Sequence, residues 1–337
     1  MTMRTAGPGL LALRAEMARQ HQDARDSYDA NGEIATTIAG ALRRNRRLVL
    51  LGMGASHAVN RMVEPTYRAL GIQAISLPLS EHLYAPLDLA GSVVIVTSQS
   101  GESVEVHRLF SALGRHDSVF GLTLEGGSTL AQSSPSLIGR GGTERAFAAT
   151  RSLLISLALH QRVLTALGDD PTSALAALAD TSTPDLSSAL AALRDSSALV
   201  FSGRAMRGLA EAAALGAMEL GRLPALALEG GQFRHGPMEI LGPKIGVVLA
   251  KSDEPTAPLI DSLAQLCVAA GSPTILVDSS GQPAVPGTCQ IAARKSAGIA
   301  AALSLLPAAQ KLVIELADAR TENVGTPIRS GKITRDE

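Results

Sequence analysis

The residues with the most chemical promise lie at 92–103, SVVIVTSQSGES, where an apolar run gives way to hydroxyl and amide side chains and then to apolar positions at Val106, Phe110 and Leu113. The spacing predicts a buried strand feeding a helix, which places Ser98, Gln99, Ser100 and Ser103 around a helix N-terminus. Free backbone N–H groups and the positive end of the helix dipole favour an anion there, and serine hydroxyls add donors without a full positive charge. A phosphate ester is the natural guest. The alternative is that Ser100 is an N-cap and the rest is turn chemistry. A second loop, GMGASH at 52–57, also follows an apolar run and opens a helical pattern. Gly52 and Gly54 allow close backbone approach, and Ser56 offers a donor to the same anion. As a dinucleotide fingerprint this loop fails, because His57 stands where the third glycine of G-x-G-x-x-G belongs.

Proton transfer has its own candidates. Glu219 follows Ala212, Leu215 and Gly216 by seven, four and three residues, on one face of a helix predicted at 206–221. A carboxylate on such a small, apolar face is either an ordinary residue near a helix end or a base. Burial raises a carboxyl pKa towards the range useful for moving a carbon-bound proton. His235 lies in Arg234-His235-Gly236-Pro237, where it is either a structural hydrogen-bonder or an acid/base partner. His57 and His82 fall near strand ends and could line a pocket, whereas His21, His107, His116 and His160 read as surface or packing residues. No pair of residues has metal-ligand spacing, and there is no nucleophile elbow, Walker loop or H-E-x-x-H motif. No metal and no organic cofactor is expected.

The elements that must position these residues are short apolar runs alternating with helical patterns. Helices are predicted at 9–29 and 34–43, then strands at 47–52, 73–77, 92–97 and 119–124 with helices at 57–70 and 104–113 between them, and a long helix at 146–167. A boundary falls in 168–184. The second half repeats the plan, with strands at 199–203, 225–228, 246–250 and 274–277 and helices at 206–221, 258–270 and 298–317. Continuous apolar strands in this order imply buried parallel sheets, whose ligands sit at the strands' carboxyl ends.

Composition narrows the function classes. In 337 residues, 46% are apolar and 18% charged, against roughly 25% charged in typical soluble domains, so charge-driven disorder is excluded. With 2% aromatic residues and no Trp, the chain has no stacking platform for nucleobases. Thirty basic against 31 acidic residues, a net charge of -1, supply no field for a polyanion. A small partner is expected, with neither nucleic acid nor membrane. Cys267 and Cys289 lack CxxC spacing, which fits a reducing compartment. Residues 1–19 include Arg4, Arg14, Glu16 and Arg19 and do not read as a signal peptide. No uncharged stretch has the length and flanks of a membrane span, since 205–221 is interrupted by Arg207, Glu211 and Glu219. A cytoplasmic location is expected.

Four segments in order, GMGAS (52–56), TSQSGES (97–103), ERAFAATRS (144–152) and EGGQFRHGP (229–237), together resemble the sugar isomerase (SIS) domain family. The likeness covers nearly the whole chain and is greatest to the isomerase half of glucosamine-6-phosphate synthase and to stand-alone SIS-type amino-sugar-phosphate deaminases, isomerases and deglycases. It implies an α/β fold of two tandem SIS domains, each a flavodoxin-like three-layer unit with a parallel sheet flanked by helices. The corresponding ranges are an N-terminal helical segment at 1–30, the first domain at 31–170, the second at 185–322 and a tail at 323–337.

The resemblance also implies site residues. The phosphate loop falls on Ser98, Gln99, Ser100 and Ser103, with Ser56 as a further contact and Gly54, Ala55, Ala148 and Ala149 as other substrate neighbours. The proton-shuttling glutamate, sixteen residues before the HGP histidine, falls on Glu219. His235 takes the ring-opening position, which in relatives reaches the neighbouring subunit's site, so a homodimer with a shared site is implied. Lys332 in the tail SGKITRDE would close over an open-chain sugar. Three positions depart from the synthase, with Ala212 and Gly216 in place of a glutamate and a lysine and Arg151 in place of the lysine of an STK stretch. No N-terminal cysteine glutaminase domain is present in the sequence, so synthase activity is not expected. The implied function is turnover of an amino sugar 6-phosphate, of the glucosamine-6-phosphate deaminase type. The alternatives are an aldose–ketose phosphosugar isomerase, a fructosamine-phosphate deglycase, or a non-catalytic phosphosugar-binding regulator. The last is disfavoured by the presence of Glu219 and His235 and by the lack of a preceding helix-turn-helix segment.

Overall fold

The computed structural model describes residues 6–113 and 118–334. Arg4, His116 and the last three tail residues lie outside the described residues. The chain separates into two compact units, each containing one parallel five-stranded sheet flanked by helices. One unit takes residues 16–145, 149–179 and the segment from Ile328, and the other takes residues up to Ala15, 146–148 and 180–327. Helix α1 (Pro8–Ala30) therefore gives residues to both.

The first sheet is built from β1 (Arg47–Gly52), β2 (Gln73–Pro78), β3 (Val93–Thr97), β4 (Val119–Thr123) and β5 (Ser136–Ile138), in the order β2-β1-β3-β4-β5. Its helices in chain order are α2 (Gly32–Asn45), α3 (Gly54–Ala69), α4 (Leu79–Tyr84), α5 (Val104–Ala112), α6 (Thr129–Ser133), α7 (Arg151–Leu167) and α8 (Thr172–Ala179). Strands β1, β3 and β4 are the apolar runs RLVLLG, VVIVT and VFGLT, hydrophobic at successive positions because both sheet faces are covered. Val49, Leu51, Val94 and Val96 pack with Val106 and Leu109 of α5 and with Leu130. The winding direction reverses between β1 and β3, which leaves a crevice at their carboxyl ends.

The second sheet repeats this order. Its strands are β6 (Ala198–Gly203), β7 (Ala225–Glu229), β8 (Ile245–Ser252), β9 (Thr274–Ser279) and β10 (Cys289–Ala292), arranged β10-β9-β8-β6-β7. Helices α9 (Ser187–Leu193), α10 (Arg207–Gly221), α11 (Gly230–Arg234), α12 (Ala257–Ala269) and α13 (Gly298–Arg320) accompany it. Helix α13 is long and apolar enough to cross a membrane by length and composition, a feature the sequence reading did not single out. Yet 78% of its apolar window is buried inside the protein, as in a core helix.

Two expectations change. The helix predicted at 146–167 begins at Arg151, because the Glu144 carboxylate accepts the backbone N–H groups of Thr150 and Ser152, both at 3.0 Å. That cap fixes the helix start downstream of the apolar run at 146–149. Strands β5 and β10 were not expected: they have three and four residues, too few to show an apolar run.

Candidate functional site

In the first-sheet unit, β1 and β3 lie side by side with Gly52 opposite Thr97, so the two loops singled out by residue type open onto the same crevice. Loop 98–103 is folded on itself. Ser98 Oγ accepts the N–H of Gly101 at 3.1 Å, and Ser100 Oγ accepts that of Glu102 at 3.2 Å. Gly101 has a φ of +64°, and a Cβ there would come within 2.2 Å of Ser128 Oγ, so the turn requires glycine. The N-cap of α5 is Ser103 rather than Ser100, and its side chain makes no capping hydrogen bond. The loop thus presents a helix N-terminus with a hydroxyl not consumed by capping.

Beside this loop is a cavity of about 380 Å³ whose lining includes Gln99, Ser100, Glu102, Glu125, Glu144 and Lys332. The tail forms part of its wall. Lys332 Nζ lies 3.3 Å from Glu144 Oε2, and the carbonyl of Thr334 accepts the first amide of α5, Val104 N, at 3.1 Å. Glu144 is fully buried and is also bonded by Ser152 Oγ at 2.7 Å. The Glu102 carboxylate takes the Thr129 N–H at 2.6 Å and the Thr129 hydroxyl at 3.0 Å, and lies 3.0 Å from His107 Nε2. The Thr129 amide is the largest influence and holds the Glu102 carboxyl below its usual range; burial, the next largest, opposes it, and the Thr129 hydroxyl and His107 add to the lowering. Gly54, Ala55 and Ser56 form the first turn of α3, which starts three residues before the expected 57.

The second-sheet unit carries the other two candidates. Glu219 is half-buried near the end of α10. Its small-residue face packs on α13, and a Cβ at Gly216 would sit 3.4 Å from Val313 Cγ1. His235 is exposed and follows α11, with Gly236 at φ +111° behind it. Helix α10 runs back from the carboxyl end of β6 to the amino end of β7, so Glu219 precedes β7 on its amino-end side and His235 follows on its carboxyl-end side, with that five-residue strand between them in the chain. The His235 turn is braced by Glu229, which accepts the N–H groups of Gly231 at 2.8 Å and Gln232 at 3.0 Å and lies 3.2 Å from Arg204 Nη1. Burial works against ionisation of Glu229, but these bonds and the Arg204 guanidinium outweigh it and lower its pKa.

No protein-family model matches the chain. Glutamine–fructose-6-phosphate aminotransferase (isomerizing) of Aeropyrum pernix is 28% identical over 310 residues, covering 84% of this chain and 50% of the relative. The enzyme of the same name from Sulfurisphaera tokodaii is 23% identical over 261 residues, 74% of this chain and 44% of the relative. The chain spans about half the length of these curated relatives. Among solved structures, tagatose-6-phosphate ketose/aldose isomerase from Escherichia coli superposes with a TM-score of 0.83 at 20% identity, covering 96% of this chain and 98% of that one. The C-terminal domain of glucosamine-fructose-6-phosphate aminotransferase from Francisella tularensis gives 0.78 at 16%, covering 94% and 98%. The resemblance to the SIS family holds.

Against that SIS fold, the structure brings together Gln99, Ser100 and Lys332 at one cavity, with Ser98 and Ser103 in the same loop and Gly54, Ala55 and Ser56 in the first turn of α3 on the neighbouring strand. Glu219 and His235 lie in the other compact unit. Ala148 is buried and belongs to the second-sheet unit, whereas Ala149 belongs to the first, and neither lines the cavity. His57 and His82 do not line it either. His57 Nδ1 lies 3.3 Å from Ser76 Oγ, and His82 Nδ1 accepts the Leu87 N–H. Burial lowers the His82 pKa. Among the described residues no group of three potential metal ligands occurs. Sequence reasoning did not single out Glu102, Glu125 or Glu144 as cavity residues. Glu102 and Glu144 stand inside quoted motifs, and the signal that marks Glu144 is a carboxylate placed shortly before a helix N-terminus.

Proposed function

We propose that this chain is an enzyme acting on an amino sugar 6-phosphate, of the glucosamine-6-phosphate deaminase type. The observation that supports this reading best is the crevice between β1 and β3, where a serine-rich loop feeds the N-terminus of α5 beside a cavity of about 380 Å³ walled by the lysine-bearing tail. In this reading the phosphate sits on Ser98, Gln99, Ser100 and Ser103 with Ser56 opposite, and Lys332 closes over the open-chain sugar, with Gly54, Ala55, Ala148 and Ala149 as further neighbours. His235 assists ring opening. Glu219 removes the C2 proton of the aldehyde form and returns a proton to C1. The product of that transfer is the C2 imine of the ketose phosphate, and water hydrolyses it to ketose 6-phosphate and ammonia. A positioned acid–base group of this kind contributes roughly 10²- to 10⁴-fold. The names of the solved structures with this fold include tagatose-6-phosphate ketose/aldose isomerase and glucosamine-6-phosphate deaminase, which supports phosphosugar chemistry at C1 and C2.

The division into tandem SIS domains at 31–170 and 185–322, with a closing tail at 323–337, belongs to the same proposal, as does a cytoplasmic homodimer without nucleic-acid or membrane partners. Glu219 and His235 flank β7 on its two ends, which supports a site that draws them from two copies. The direct test is deuterium incorporation at C1 of the ketose 6-phosphate during turnover of glucosamine 6-phosphate in deuterated water. Wild-type protein is expected to incorporate it, and Glu219→Gln to lose incorporation while still binding the sugar. Incorporation by Glu219→Gln at the wild-type rate would remove Glu219 from the mechanism.

A further inference from the structure

The two loops of the candidate phosphate site are joined underneath by a residue with no assigned role. Asn60, in the second turn of α3, is fully buried. Its Oδ1 accepts the Thr97 hydroxyl at 2.8 Å, and Thr97, itself buried, is the last residue of β3 before Ser98. The Asn60 Nδ2 group is buried without a hydrogen-bond partner and lies against the end of β1, where a Cβ on Gly52 would come within 3.0 Å of it. The same Cβ would come within 3.1 Å of the backbone at Ser56 and His57. Gly52 and Thr97 are paired in register across β1 and β3. One amide therefore contacts both strands at the point where their loops diverge, filling the space that the absent Gly52 side chain leaves.

We propose that Asn60 is a positioning residue for the phosphate site: by bonding Thr97 and packing on Gly52 it sets the spacing between the Gly52–Ser56 loop and the Ser98–Ser103 loop. The inference rests on the phosphate reading of those loops. An anion held from two loops at once is sensitive to their separation, because hydrogen bonds weaken steeply outside a narrow range of distance and angle. A helix shifted outward by a larger or non-bonding side chain would carry Ser56 away with it. The effect belongs to binding, since Asn60 is buried and bonded to Thr97 beneath the two loops and the proposed proton-transfer residues lie in the other compact unit.

The experiment measures the Kd of glucosamine 6-phosphate by titration calorimetry, with kcat followed in parallel, for wild type, Asn60→Leu, Thr97→Val and Thr97→Ser. Asn60→Leu and Thr97→Val are expected to weaken binding about tenfold or more with kcat within about twofold. A protein carrying both Asn60→Leu and Thr97→Val should bind no more weakly than Asn60→Leu alone, and Thr97→Ser, which keeps the hydroxyl, should bind like wild type. If Asn60→Leu fails to fold, the Thr97→Val and Thr97→Ser pair carries the comparison. Wild-type affinity in Asn60→Leu, or in Thr97→Val, would overturn the positioning role and leave the phosphate reading intact. Failure of wild type itself to bind the phosphosugar would overturn both.

Discussion

Arg151, at the first position of α7, is fully buried and uses its whole guanidinium. Nε meets Glu16 Oε2 at 2.5 Å and Nη1 meets Asp23 Oδ2 at 2.9 Å, while the carbonyls of Arg140 and Gly142 take bonds at 3.3 and 2.8 Å. These bonds hold the segment that leads to Glu144 and the cavity. A lysine, with one compact charge, cannot reproduce this fork, which gives a physical reason for arginine at this departure from the STK pattern. Arg151→Met is expected to cost about 3–5 kcal/mol in urea unfolding, because it strands two carboxylates in a buried setting. A loss below about 1 kcal/mol would show that the network is not holding the loop. Ser103 belongs to the same scale. Its hydroxyl is not consumed by capping, and a hydrogen bond to a charged group contributes about 1.5–3 kcal/mol. Ser103→Ala should therefore weaken glucosamine 6-phosphate binding at least tenfold in calorimetry, and unchanged affinity would remove Ser103 from the phosphate loop.

At the scale of elements, helices α3 and α7 meet through a buried pair in which the Tyr67 hydroxyl lies 3.1 Å from His160 Nδ1. Burial pushes the His160 pKa down to about 3, so the folded protein keeps this imidazole neutral while the unfolded chain protonates near 6.5. Between those values the unfolded state binds the extra proton, so stability is full above about pH 6.5 and falls as pH is lowered. The expected loss from this group between pH 6.5 and 5 is about 2 kcal/mol, read by urea midpoints across pH. His160→Gln should flatten that dependence, and an unaltered slope would assign it to other groups. His160 was legible only as a surface or packing residue, and the main strands were legible as apolar runs because strands covered on both faces must be apolar throughout. The true start of α7 was hidden, since the alanine-rich 146–149 suits a helix and only the distant Glu144 cap shows where the helix begins. The serine loop was legible because it is local. The cavity was not: its carboxylates come from separate turns, and β4, α6 and the tail must fold before they converge.

At the scale of the whole molecule, the placement of Glu219 and His235 on opposite ends of β7 leads to a prediction about assembly. If two copies share sites through a two-fold axis, Glu219→Gln and His235→Ala proteins should each be inactive. Mixed and allowed to exchange subunits, they should recover about a quarter of wild-type activity, because half the dimers are mixed and each holds one intact site. No recovery, with exchange verified by tagged copies, would contradict a shared site. The proposed deamination is read directly by quantifying ammonia and ketose 6-phosphate after incubation of the purified protein with glucosamine 6-phosphate, with galactosamine 6-phosphate alongside. Equal amounts of both products are expected from at least one of the two sugars. Binding of these sugars without release of either product would contradict it.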